Sequence, residues 1–382
     1  MTTEFDDIRP FNDSETVAAL SRVARHPVCL PISRYLYPGQ PETTLGEILS
    51  SVTGVEDFQH KVMDRAIHFI VEDTTTSYTY SGAETLQTPE QAGCHLFLSN
   101  HRDIVLDPAI TQIALVECGL PTTEICVGDN LLSEPIVVDM IRSNRMIKVR
   151  RSISGHELYE SLQLLSRYIH ESITTSRSSV WLAQRQGRTK DGRDMTEEAL
   201  VKMLGMSAGD GEDFASFYKA LRIVPLSISY EYDPCDILKA REILIRDSGV
   251  PYEKKPGEDL NSIVTGIRQP KGRVHLQFNA PLSDAEIDEC AAAPRPQRVH
   301  QLCQILDQRI LGGYRLWETN YIAWDLLHPG EERFSSHYSP DARARFEAYT
   351  DRQIARVEPE LDRTALRTRF LDIYANPVEN CQ

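Results

Sequence analysis

The stretch LFLSNHRDIVLDPAI, residues 96–110, changes its backbone periodicity within a few positions. Leu96 to Ser99 read as a short strand. Asp107-Pro108 then opens an apolar helical pattern around Ala109–Val116. A strand that passes through a polar turn into a helix is the repeating unit of an α/β sheet. Further units follow on the same scale. SYTY precedes the stretch. TEICVGD, RMIKV, SSVWLAQ, RIVPLSISYEY and RVHLQFNAPLS (273–283) come after it as strands. EPIVVDMIRS reads as a helix. So does a longer segment from about Ser154 to Thr174, with Leu158, Leu162, Leu165, Ile169 and Ile173 on one stripe. The fold class expected is α/β: a mixed, mostly parallel sheet wrapped by helices, with helical N- and C-terminal segments. Its divisions are a helical segment at 1–76, an α/β core at 77–285 and a helical segment at 286–382. In the first of these, Ser14 is a candidate cap for a helix carrying Val17, Leu20 and Val23. A second helix is expected from about Val55 to Val71, and proline-rich HPVCLPISRYLYPGQPE between them reads as a loop.

Composition removes several function classes. Of the 382 residues, 41 are Lys or Arg and 56 are Asp or Glu, a net charge of −15. A chain this acidic lacks the basic footprint of bulk nucleic-acid binding, so no nucleic-acid partner is expected. Any anionic ligand must be held by a local basic cluster. The eight cysteines form no CxxC pair and the histidines form no HExxH motif, so neither a metal site nor a disulfide scaffold is expected. No secretory leader and no 18-residue uncharged window is apparent, which suggests a cytoplasmic chain that meets lipid from the side, if it meets it at all.

The turn after Ser99 carries the chemistry. His101 stands at a strand end, the edge of the sheet where α/β proteins build their sites. A carboxylate about one turn later can accept from one ring nitrogen, fixing the tautomer and leaving the other nitrogen as a base. Asp107 is the preferred partner and Asp103 its rival. Asp107-Pro108 also reads as a helix N-cap followed by proline at the first helical position, which needs no catalytic role.

This stretch resembles the first motif of the glycerolipid acyltransferases, in which a strand leads to Asn-His, then four intervening residues, then Asp. Three later blocks follow in matching order: GDNLLSEPIVVDMIRSNRMIKVRR (128–151), VWLAQRQGRTKDG (180–192) and IVPLSIS (223–229). The similarity covers roughly residues 94–285. It implies an enzyme that moves a fatty acyl group from acyl-CoA or acyl-carrier protein to a hydroxyl of glycerol phosphate or a lysophospholipid, as in 1-acylglycerol-3-phosphate O-acyltransferases. On this resemblance His101 is the general base and Asp107 orients it. Arg102, Arg150, Gln186, Gly187 and Arg188 contact the substrates, Arg188 most directly. No metal or cofactor is implied beyond the thioester co-substrate. The partners are that donor, a phosphate-bearing glycerolipid acceptor and the cytoplasmic face of a membrane. The remaining cations of the second and third blocks, Arg142, Arg145, Lys148, Arg151, Arg185, Lys190 and Arg193, are further candidates for the phosphate. Two departures favour an alternative, a lipid-binding or scaffold protein without turnover. Five residues separate His101 from Asp107, and Gln186 replaces the usual Glu. A serine hydrolase is disfavoured by the lack of a GxSxG elbow. The segment SYEYDPCD (229–236) reads either as a pocket mouth or as a strand exit with a turn at Asp233-Pro234.

Overall fold

Seven strands make one sheet: β1 Thr75–Ser81, β2 Leu96–Ser99, β3 Glu124–Gly128, β4 Met146–Val149, β5 Val180–Ala183, β6 Ile223–Tyr230 and β7 Gly272–Phe278. The computed structural model describes residues 4–380 apart from 89–90, 133, 210–212, 250–251 and 254. The spatial order is β1-β7-β6-β2-β5-β3-β4. All neighbours pair in parallel except β6 with β7. The sheet is therefore mixed and mostly parallel, and helices cover both faces.

Alternation along the strands builds the two layers. Leu96, Leu98, Val180, Leu182 and Ile223 face the helices Gly155–Thr174 and Arg295–Gly313. Phe97, Trp181, Val224, Leu226, Ile228 and Tyr230 face the other way, onto the helix Leu106–Glu117. β2 is buried along its whole length, between β5 and β6. Pro225 sits inside β6, where a proline removes a ladder donor. Its carbonyl accepts from Asn279 N and Nδ2 at 3.0 and 3.2 Å, just beyond the end of β7. The proline thus falls where pairing on that side has ended.

The helical flanks join this core through separate apolar clusters. Leu20, Val23, Leu36 and Phe58 pack with Ile136 and Met140 of the helix Pro135–Ser143. The C-terminal helices Glu318–Leu327, Pro340–Ile354 and Arg363–Asn380 pack with Ile237 and Ala240 of the helix Asp236–Asp247.

Three local expectations are corrected. The first helix, Asp13–Arg25, is capped by Asn12, whose side chain accepts from Glu15 N while the Glu15 carboxylate accepts from Asn12 N. Ser14 only donates to Asn12 Oδ1. The proline-rich loop contains a helix, Cys29–Leu36. Pro31 lies in its first turn, where a missing N–H costs no intrahelical bond. The helix expected to end near Val71 continues to Thr74 and passes through a π-helical turn at Gln59–Asp64.

The central strand should dominate stability. Leu98 is fully buried, so Leu98→Ala is expected to cost about 2–5 kcal/mol. A lower urea midpoint with an unchanged denaturant slope checks this.

Candidate functional site

The parallel strands β2, β5 and β3 end on the same edge of the sheet, and the site lies just beyond them. Asn100, the first residue after β2, replaces ladder bonds with its side chain. Its Oδ1 accepts from Ile228 N at 2.7 Å and its Nδ2 donates to the Ile228 carbonyl at 3.0 Å. That fixes the position from which His101 emerges.

Asp107 lies fully buried in the first turn of the helix Leu106–Glu117. Its Oδ2 accepts from His101 Nδ1 at 2.9 Å, Arg102 N at 2.6 Å and Asp103 N at 2.9 Å. Its Oδ1 accepts from the Tyr230 hydroxyl at 2.8 Å. The loop from His101 to Leu106 is thus wrapped around one carboxylate, and the additional residue between His101 and Asp107 is taken up in that wrapping. Asp103 has a different task. Its Oδ1 accepts from Val105 N and Leu106 N, both at 2.8 Å, and so caps the helix. A carboxylate can only accept, so Nδ1 of His101 carries the proton and Nε2 keeps its lone pair. The imidazole packs edge-on against Trp181, 6.0 Å away, and lines a pocket of about 460 Å³.

Five cations among the described residues line this pocket, with the acids Asp191, Glu242, Glu258 and Asp259 among them. Arg151, Arg185, Arg188, Lys190 and Arg246 all line it, as do Gln186 and Gly187. Arg188 Nη1 is buried without a hydrogen-bond partner. Lys190 and Arg246 share the buried carboxylate of Glu242, the latter at 2.6 Å. Burial lowers the Lys190 ammonium pKa, and Arg246 and Arg188 push it the same way, partly offset by Glu242. Gln186 is exposed, and its backbone N–H donates to Glu197 Oε2 at 3.0 Å. A carboxylate therefore stands at this loop, supplied by Glu197. Gly187 takes a left-handed turn with φ 76°.

A second, larger cavity of about 1260 Å³ adjoins the first and shares Ile104, Pro108, Ile125, Val127 and Leu131 with it. Its walls are mainly apolar and include Met63, Ile113, Val116, Val137 and Met140.

Two residues expected at the substrate are not brought there. Arg102 is fully buried, with Nη2 on Asp194 Oδ2 at 2.6 Å and on the Gly192 carbonyl at 3.2 Å, and Nη1 on Asp233 Oδ2 at 3.1 Å. Its donors point into the protein and not into the pocket. Arg150 is absent from the pocket lining and pairs with Glu157 at 2.7 Å, while the adjacent, exposed Arg151 lines the pocket rim. Of the other cations in the second block, Arg142 bonds the carbonyls of Asp6 and Arg9, Arg145 bonds Thr122 and Ser178, and Lys148 pairs with Asp7. SYEYDPCD forms no pocket mouth: Tyr230, Asp233 and Asp236 are buried beneath the site. Burial raises the Asp236 carboxyl pKa to about 6, against the hydroxyls of Tyr374 and Tyr349 that bond it.

Sequence reading missed Tyr230, Asp194 and Arg246. The alternation of β6 places Tyr230 on the same face as Leu226 and Ile228, which was the available signal. Asp194 accepts from Asn100, Arg102 and Thr189, and no local pattern marks it. The Glu242–Arg246 pair has helical spacing but nothing in the sequence ties it to a pocket. Among the described residues no group of three or more His, Cys, Asp or Glu side chains is placed to hold a metal ion. The seven described cysteines are free thiols, and Cys381 lies outside the described residues.

This strand-end His–Asp pair belongs to a chain related in sequence to the glycerolipid acyltransferases. A mouse dihydroxyacetone phosphate acyltransferase is 23% identical over 239 residues, which is 60% of this chain and 34% of that protein. A glycerol-3-phosphate acyltransferase of Pseudomonas paraeruginosa is 25% identical over 200 residues, 52% of this chain and 22% of that protein. The bovine dihydroxyacetone phosphate acyltransferase is 24% identical over 202 residues, 53% of this chain and 28% of that protein. The chain thus spans between about a fifth and about a third of the length of these curated relatives. No family model matches it.

The two arginines are separable by stability. Arg102→Leu leaves Asp194 and Asp233 buried without their guanidinium and is expected to cost about 3–5 kcal/mol. Arg150→Leu removes a surface pair and should change stability by less than about 1 kcal/mol. Urea unfolding of both variants tests the assignment.

Proposed function

We propose that this chain is an O-acyltransferase. It moves a fatty acyl group from an acyl-CoA or acyl-carrier-protein thioester to a hydroxyl of a small phosphate-bearing acceptor: glycerol phosphate, dihydroxyacetone phosphate or a lysophospholipid. One observation carries the reading. His101, held through Nδ1 by buried Asp107, lines a pocket that carries five cations and shares Ile104 and Pro108 with a larger apolar cavity. The first suits a phosphate and the second an acyl chain.

In this reading Nε2 of His101 takes the acceptor hydroxyl proton as that oxygen attacks the thioester carbonyl. The new C–O bond gives a tetrahedral oxyanion. Its collapse breaks the C–S bond, and the imidazolium returns the proton to the leaving thiolate. Asp107 holds the ring in the required tautomer and stabilises its charged form. The oxyanion needs preorganised donors. The amides at the helix start are already taken by Asp103 and Asp107, which leaves the Gly187 turn for that role. Arg188, with Arg151, receives the acceptor phosphate.

The product of such an enzyme is a lipid, so the reading includes peripheral contact with the cytoplasmic face of a membrane. No helix among the described residues is long and apolar enough to cross one. The helix Glu258–Arg268 borders both cavities through Ser262 and Ile263 and exposes Leu260 and Val264 on its outer side. Apolar side chains beside a lipid site suit insertion into a bilayer surface despite the negative net charge.

Purified protein, labelled acyl-CoA and a panel of acceptors test the activity. His101→Ala should abolish transfer with the fold intact. Asp107→Asn should slow it roughly 10²- to 10⁴-fold, and Asp103→Asn should leave the rate near normal. Arg188→Ala should raise the acceptor KM more than it lowers kcat. A protein that binds acyl-CoA but forms no ester with any acceptor would instead be the non-catalytic lipid binder.

Membrane contact has its own check. The protein should float with anionic liposomes at low salt, and Leu260→Glu should reduce the floating fraction. Wholly soluble protein in that experiment would point to a water-soluble acceptor and no docking.

A further inference from the structure

Tyr230 is the last residue of β6, a strand buried at every position. Val224, Leu226, Ile228 and Tyr230 share the face that packs on the helix Leu106–Glu117. Along that apolar stripe only Tyr230 carries a polar atom, and its hydroxyl ends 2.8 Å from Asp107 Oδ1. The two oxygens of Asp107 are unequally provided for. Oδ2 takes the imidazole and two backbone amides, whereas among the described residues the hydrogen bond at Oδ1 is that of Tyr230 alone. The carboxylate has no exposure through which water can substitute.

We infer that Tyr230 is a positioning residue: its hydroxyl locks the Asp107 carboxylate in the rotation that presents Oδ2 to His101 Nδ1. The inference rests on the proposed acyl transfer only for its kinetic consequence; the effect on the imidazole is independent of it. A buried carboxylate oxygen without a donor is costly, so removing the hydroxyl favours rotation of the carboxylate or its protonation. Either change loosens the Nδ1–H bond that fixes the tautomer. The phenol remains a donor at any ordinary pH, because burial and the charge of Asp107 both push its pKa well above the usual value.

Tyr230→Phe removes one oxygen and keeps the packing. Tyr218→Phe is the control: that buried hydroxyl bonds the Val201 carbonyl at 2.7 Å, in the cluster on the other face of the sheet. Two readouts are needed. NMR of protein carrying nitrogen-15 histidine reports the His101 tautomer, assigned by the signal lost in His101→Gln. Transfer kinetics report kcat and KM.

The expected result is an Nδ1-protonated His101 in wild type and Tyr218→Phe. Tyr230→Phe should give mixed tautomers and a kcat lower by roughly 10- to 100-fold, the rate equivalent of leaving a buried carboxylate oxygen without its donor, with an unchanged acceptor KM. A Tyr230→Phe protein that keeps both the wild-type tautomer and the wild-type kcat overturns the inference. If wild type transfers no acyl group but Tyr230→Phe still disturbs the tautomer, the proposed function fails and the positioning role stands.

Discussion

The site depends on one fully buried carboxylate. Asp107 accepts from the imidazole, from two consecutive backbone amides and from a strand-end tyrosine. A charge this deep is tolerated only when donors surround it. The same donors set the backbone path from β2 into the helix Leu106–Glu117. Chain geometry and imidazole chemistry are thus fixed by one group. The helix start is closed independently by Asp103, which frees Asp107 from a capping duty.

A second buried group ties the first motif to the third. Asp194 accepts from Asn100, Arg102 and Thr189, and Thr189 N donates to the His101 carbonyl at 2.7 Å. The loop carrying Arg188 is therefore held against the loop carrying His101. Arg102 continues the network to Asp233, which Lys239 also pairs with. The C-terminal helix joins it as well: Tyr374 accepts from Asp233 N, and Asn376 Nδ2 donates to the Asp191 carbonyl at 2.7 Å. The close approach of that helix requires glycine at 192, where a Cβ would come 2.3 Å from the Ile373 carbonyl oxygen. Breaking such a network leaves buried charge uncompensated, which gives the site its rigidity.

What was legible in the sequence was local. Strand-to-helix changes of period located all seven strands, because each carries a run of apolar or β-branched residues between turn signals. The path of residues 26–42 was misread because proline density outweighed position; a proline in a first helical turn does no harm. Arg102 looked like a cation beside a catalytic histidine. Its burial depends on Asp194 and Asp233, 92 and 131 residues away in sequence, and no local pattern records such distant partners. Arg150 against Arg151 is an error of phase. Adjacent residues leaving a strand point to opposite sides, so one position moves a guanidinium from the pocket rim to an ion pair with Glu157. The same alternation, followed to the last residue of β6, places Tyr230 on the face of Leu226 and Ile228.

The central claim is that the His101 imidazole moves the proton, and chemical rescue tests it most directly. His101→Gly removes the side chain and opens a space in the wall of the pocket. Wild-type-like transfer should return as imidazole is added to this variant, rise with imidazole concentration and saturate. It should be much weaker in His101→Gly/Asp107→Asn, where nothing orients the added base. A His101→Gly protein that transfers acyl groups at the wild-type rate without imidazole would contradict the account.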